Sequence, residues 1–175
     1  TYSLVLVGGP IVKFLYPSDG QIVGGTIKVR LNSSEDTVGI SNTTLTVQQN
    51  NDIKRYIAVN SPGDEPFYSY YTLNTELYED GKLNLSAVTI DENSRRYDEN
   101  ITIIIDNTPP TVNITYPSAN TYHTGIVRIY ANVTEYVAVI VNVSIQFDSG
   151  IYYDMSYNNT LKLWYYDWNT NLFSE

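Results

Sequence analysis

The sequence has no cysteine, one histidine, one methionine and only 10 lysines and arginines against 19 aspartates and glutamates. Without cysteine there is no disulfide framework, no thiolate zinc site and no thiol catalysis. His123 is the single imidazole, so the commonest general base and metal ligand is nearly missing, and no Ser-His-Asp set can be assembled around it. It reads as a turn residue. The shortage of cations leaves a formal charge of −9, which excludes nucleic acid as a partner because that grip rests on clustered Lys and Arg. Long apolar runs are missing too. The longest, Val137-Ala138-Val139-Ile140-Val141, falls far short of the roughly 20 residues of a membrane-spanning helix. No 3.6-residue periodicity stands out, so helix content should be minimal.

What is present is a 175-residue chain, 42% hydrophobic and 13% aromatic with 17 tyrosines, rich enough in apolar side chains to bury a core. It carries an internal repeat at an offset of 100 residues. Pro10 to Ser18 lies over Pro110 to Ser118, sharing Pro, Val, Tyr, Pro and Ser, and Gly25 to Asn32 lies over Gly125 to Asn132. Asn42 to Val47 follows over Asn142 to Phe147. The register then slips by five residues, placing Tyr70 to Thr75 over Tyr165 to Thr170. Apolar and polar residues alternate in each block, the signature of half-buried strands. The first copy runs on through Asp80-Gly81, a strand over Lys82 to Ile90 and a last strand over Ile101 to Ile105. The second copy has no counterpart of Asp80 to Ile105. The pattern predicts an all-β protein of tandem antiparallel β-sandwiches: residues 1–9 an N-terminal strand, residues 10–108 the first domain, and residues 109–175 a second domain lacking its last strands. Pro109-Pro110 predicts a short, stiff connection.

Asp80-Gly81, the alternation Leu83, Leu85, Ala87, the Asp91 turn and the run Asp106-Asn107-Thr108-Pro109-Pro110-Thr111-Val112 together resemble the tandem immunoglobulin-like repeats of bacterial and archaeal surface proteins. The resemblance spans nearly the whole chain and implies stalk, adhesion, filament or S-layer modules without a ligand site common to the family. The composition, poor in Lys and Arg and rich in Tyr, Asn, Thr and Ile, is similar to that of secreted proteins of thermophilic archaea.

Two features could mark an outward surface. Sequons begin at Asn32, Asn42, Asn84, Asn100, Asn113, Asn132, Asn142 and Asn158, whereas random placement of 18 Asn and 32 Ser plus Thr gives about three. Alternation puts all of these except Asn158, read as a loop residue, on polar strand faces, as N-linked glycans require. Aromatic runs at Phe67-Tyr68-Ser69-Tyr70-Tyr71 and Trp164-Tyr165-Tyr166-Asp167-Trp168 read first as sheet-pinning core residues and second as platforms for sugar rings. Acidic pairs at Glu35-Asp36, Asp64-Glu65, Glu79-Asp80, Asp91-Glu92 and Asp98-Glu99 read as solvated loop charges rather than calcium ligands, since no EF-hand loop is present.

The chain starts at Thr1 without initiator methionine or leader, which reads as a processed or excised segment. Tyr2-Ser3-Leu4-Val5-Leu6-Val7 resembles a final strand without its own domain. A spare strand at one end and missing strands at the other fit either a piece of a longer array or head-to-tail polymerisation by strand complementation. The expectation is a non-catalytic, extracellular, cell-surface glycoprotein, part of a filament, pilus or S-layer. It needs no cofactor or metal, and its partners are copies of itself or adjoining domains of a longer surface protein. The rival readings are an accessory stalk or carbohydrate-binding module of a secreted protease or glycosidase, and an adhesin. A glycosidase-type carboxylate pair stays open among the many acids.

Overall fold

A computed structural model describes residues 8–35, 38–57, 59–60 and 67–172; the Tyr2–Val7 segment lies outside them. No α-helix occurs among the described residues. Contacts divide the chain between Asn107 and Thr108.

Unit 1 contains β1 (Ile11–Tyr16), β2 (Ile22–Val23), β3 (Thr26–Ser34), β4 (Ile40–Gln49), β5 (Asp52–Ile57), β6 (Val59–Asn60), β7 (Phe67–Asn74), β8 (Gly81–Asp91) and β9 (Arg96–Ile105). They form two sheets, ordered β1-β3-β7-β6 and β2-β9-β8-β4-β5. The first strand is shared between them: β1 pairs antiparallel with β3, and after Pro17 the chain crosses over so that β2 pairs parallel with β9. This is an immunoglobulin-like sandwich. Alternation assigns the faces. Ile27, Val29 and Leu31 of β3 point inward to meet Leu45 and Val47 of β4, Leu83, Leu85 and Ala87 of β8, and Ile103 and Ile105 of β9. Three buried hydroxyls bond one another: those of Ser33 and Thr43 lie 3.0 Å apart and link the two sheets, and those of Thr43 and Thr89 lie 3.1 Å apart within the second, which offsets the cost of burying them.

The end of unit 1 is locked by the junction run. Asn107 Oδ1 accepts from the Gly25 backbone N–H (2.9 Å) and the Thr75 hydroxyl (2.8 Å), its Nδ2 donates to the Thr75 carbonyl, and its own N–H donates to Asp80 Oδ1 (2.7 Å). The strand leaving β9 passes so close to Gly24 that a Cβ there would meet the Asp106 carbonyl oxygen at 2.3 Å. Only glycine fits.

Unit 2 contains β10 (Thr111–Tyr116), β11 (Ile126–Thr134), β12 (Ser144–Gln146), β13 (Tyr152–Asp154), β14 (Ser156–Asn158) and β15 (Leu163–Asn169). β10-β11-β15-β14 repeats the first sheet of unit 1, including a register shift at the same place in the β10–β11 pair and a cis peptide at Tyr116–Pro117 matching Tyr16–Pro17. Thr170 N–H donates to the Gly125 carbonyl at 2.9 Å, as Thr75 does to Gly25. Of the second sheet, only the hairpin β12–β13 is present among the described residues. The block from Asn142 to Phe147, expected as one strand, narrows to the three residues of β12, and Asn158 closes β14 instead of lying in a loop.

Candidate functional site

The two units can be compared position by position, and the difference isolates one surface. In unit 1, Val12 of β1 is 1% exposed, covered from the opposite sheet by β8 and β9. Its counterpart Val112 is 60% exposed, and Ile114, the counterpart of Phe14, is 55% exposed. Cross-strand partners share a face, and Ile114 pairs with the buried Ala131. Val112 and Ile114 therefore lie on the inner side of the sheet, uncovered by any described strand. At the other end of that face, β15 contributes Trp164, Tyr166 and Trp168, paired with Ala131, Ile129 and Val127. Phe147 stacks on Trp168 at 5.1 Å and lies 5.9 Å from Tyr166, while Tyr153 lies 5.4 Å from Tyr166. Aromatic rings reaching across from the hairpin thus fill the space that whole strands fill in unit 1.

The aromatic runs divide by alternation. Tyr71 points into unit 1 and stacks on Tyr56 at 4.1 Å; burial first and Tyr56 second push its hydroxyl up to about 12. Tyr68 and Tyr70 point outward. In unit 2, Tyr165 and Asp167 point outward, where Arg128 holds Asp167 through two hydrogen bonds of 2.6 and 2.7 Å and lies 4.5 Å over the Tyr165 ring. The paired Arg128 holds the Asp167 carboxyl below its ordinary range.

The acidic clusters are partly structural. Asp91 is buried and accepts from Arg95 Nε (2.6 Å) and the Arg95 N–H (2.8 Å), and Arg95 Nη2 reaches Glu35 Oε1 at 3.0 Å. Burial pushes the Asp91 carboxyl up, but the Arg95 hydrogen bonds and charge together outweigh it and hold the group low. Glu99 accepts from the Phe14 N–H, and Asp80 from Asn107. Asp36, Asp64 and Glu65 lie outside the described residues. Among the described residues no three His, Asp or Glu side chains converge as metal ligands. His123 bonds Thr121 at 2.8 Å and meets the Tyr116 ring edge-on, as a turn residue does. Arg95 carried no sequence signal beyond its place four residues after Asp91.

The sequon asparagines fall into two environments. Asn84, Asn100, Asn113, Asn132 and Asn142 are exposed; Asn32, Asn42 and Asn158 are half-buried. Asn158 Oδ1 accepts from the Thr160 and Leu161 N–H groups, and Asn142 Nδ2 donates to Asp154. Two sequons run antiparallel on β8 and β9, with Asn84 opposite Thr102 and Ser86 opposite Asn100, and the Thr102 hydroxyl donates to Asn84 Oδ1 at 2.8 Å. They border a polar hollow of about 510 Å3 together with Thr46, Gln48 and Asp19. Asn113 pairs directly with Asn132 across β10 and β11.

The fold thus defines an all-β chain of immunoglobulin-like type. No protein-family model matches it, and no curated protein sequence matches it. Solved structures similar to it include an endo-β-1,4-mannanase from Thermotoga petrophila, at 14% identity over 57% of this chain and TM-score 0.49; the chain spans 20% of that protein's length. Fibronectin(III)-like modules of Clostridium thermocellum CbhA match at 16% identity over 91% of this chain and 78% of theirs, TM-score 0.41. Murine CRIg matches at 10% identity over 58% of this chain and 100% of its own, TM-score 0.37.

Proposed function

We propose that this chain is a non-catalytic structural module of an extracellular, cell-surface assembly of filament or S-layer type, its second sandwich completed by a strand from a neighbouring copy. The observation that carries this reading is the contrast between Val12 and Val112, one sealed and its repeat open. An apolar face of this kind costs roughly 25 cal/mol for every Å2 left in water, which favours a cover. β12 supplies an edge for pairing, since β13 is its one partner among the described residues, and Tyr2 to Val7, apolar at four of six positions, is the segment suited to add there. Thr124 stands where unit 1 has Gly24, so an incoming strand leaves the sheet by a path different from that of β9.

Intact mass spectrometry of native material, beside negative-stain microscopy of the cell-surface fraction, tests this reading. A protomer near 19.8 kDa plus glycans, found in ordered assemblies that a chain beginning at Pro10 cannot form, is the expected result. Normal assembly by that shortened chain would refute strand donation. A parent chain several times larger would favour the stalk-module reading, with neighbouring domains as partners.

A further inference from the structure

We infer that the outer face of β1, β3 and β7 is a binding site for a carboxylated saccharide, with Lys28 and Arg30 as the anion-binding pair and Tyr68 and Tyr70 as its aromatic walls. The charge distribution is the first reason. Lys13, Lys28 and Arg30 project from this face, no acid lies on the outward positions of the three strands, and none of these cations has an ion pair among the described residues. Three uncompensated cations share one face of a chain whose formal charge is −9.

The internal repeat shows how this pair differs from an ordinary surface cation. Arg128, the counterpart of Lys28, is neutralised by Asp167, directly opposite on β15. The residue opposite Lys28 on β7 is Thr72. Both cations lie over a tyrosine, Lys28 Nζ at 3.9 Å from the Tyr70 ring centroid and Arg128 at 4.5 Å from that of Tyr165. A ring face orients a cation without discharging it, so Lys28 is positioned and still available.

The shape is the second reason. Leu15, Lys28, Arg30, Tyr68, Ser69 and Tyr70 line a groove of about 420 Å3, and Lys28 and Arg30 also line an adjoining hollow of about 380 Å3. Volumes of this order suit ligands of a few rings, whereas a protein partner needs about 800 Å2 on each side. The Arg30 guanidinium offers the planar fork that a carboxylate matches, and the exposed Tyr68 offers an apolar ring to a sugar's C–H face.

The test is calorimetric titration of the unglycosylated 175-residue chain with tetragalacturonate, its methyl ester and tetraglutamate. The acid saccharide is expected to bind, more weakly as salt rises, with the ester and the peptide each at least tenfold weaker. Lys28→Ala with Arg30→Ala should lose at least tenfold at an unchanged melting temperature. Arg55→Ala with Lys82→Ala, on the outer face of the other sheet, should lose nothing. Failure of tetragalacturonate to bind, equal binding of the ester or of tetraglutamate, or full binding by the Lys28/Arg30 variant would each overturn the assignment. So would a variant that altered only self-association in sedimentation velocity, which would give the face to a second copy.

Discussion

Asp91 and Arg95 show what a single buried pair demands. A carboxylate removed from water survives only if its oxygens are fully used, and Asp91 uses both on Arg95. Its folded-state affinity for protons lies below the ordinary aspartate value near 3.9, so the stability it contributes is present above that value and is lost as pH falls through the lower folded one. Asp91→Asn should therefore lower the melting temperature markedly at pH 7, with the gap to the parent closing as pH drops below about 4; a gap that stayed constant across this window would contradict the assignment. Gly24 makes a steric demand instead. Gly24→Ala sets a Cβ against the Asp106 carbonyl and should cost about 1–3 kcal/mol, as overpacking does, whereas Gly9→Ala, with open space around it, should be nearly neutral in the same denaturant titration.

At the scale of elements, alternation determines which side of a strand is buried, but burial also needs a second layer. Val12→Ser should destabilise unit 1 by roughly 1.5–3 kcal/mol, the worth of a buried valine. Val112→Ser should change unit 2 of the isolated chain by no more than about 0.5 kcal/mol, the usual range for exposed sites. Trp164 and Trp168, the only tryptophans, report unit 2 by fluorescence, and far-UV circular dichroism reports the remainder. Strand existence and facing were legible because period-2 patterns such as Ile27-Val29-Leu31 are local. The repeat was legible because Pro, Tyr and Gly punctuate both copies at the same offset. The parallel β2–β9 pair was not, since two residues carry no period and their partners lie some 80 positions away. Nor was the division of Phe67 to Tyr71 into a core ring and a groove wall foreseen in detail, because a tyrosine suits both sides of a sheet. The unpaired state of Lys28 depends on Thr72 across a strand pair, a relation that composition cannot express.

At the scale of the molecule, unit 1 is a closed sandwich and unit 2 presents an open apolar face. A charge placed on that face separates stability from assembly. Ile114 is already 55% exposed, so Ile114→Asp removes little burial from the isolated chain, and its unfolding midpoint should stay within the range of ordinary surface changes. In an assembly that covers the face, the same carboxylate would be enclosed without a partner, at a cost of several kcal/mol, and ordered particles should vanish from negative-stain fields. Ile53→Asp is the matched control, as exposed as Ile114 but on the outer side of β5; it should assemble normally. Assembly by both variants would mean that the inner face of β10 stays in water in the native state, and the strand-completion reading would fall. Loss by Ile114→Asp alone would locate the contact on the face that alternation assigns to the interior.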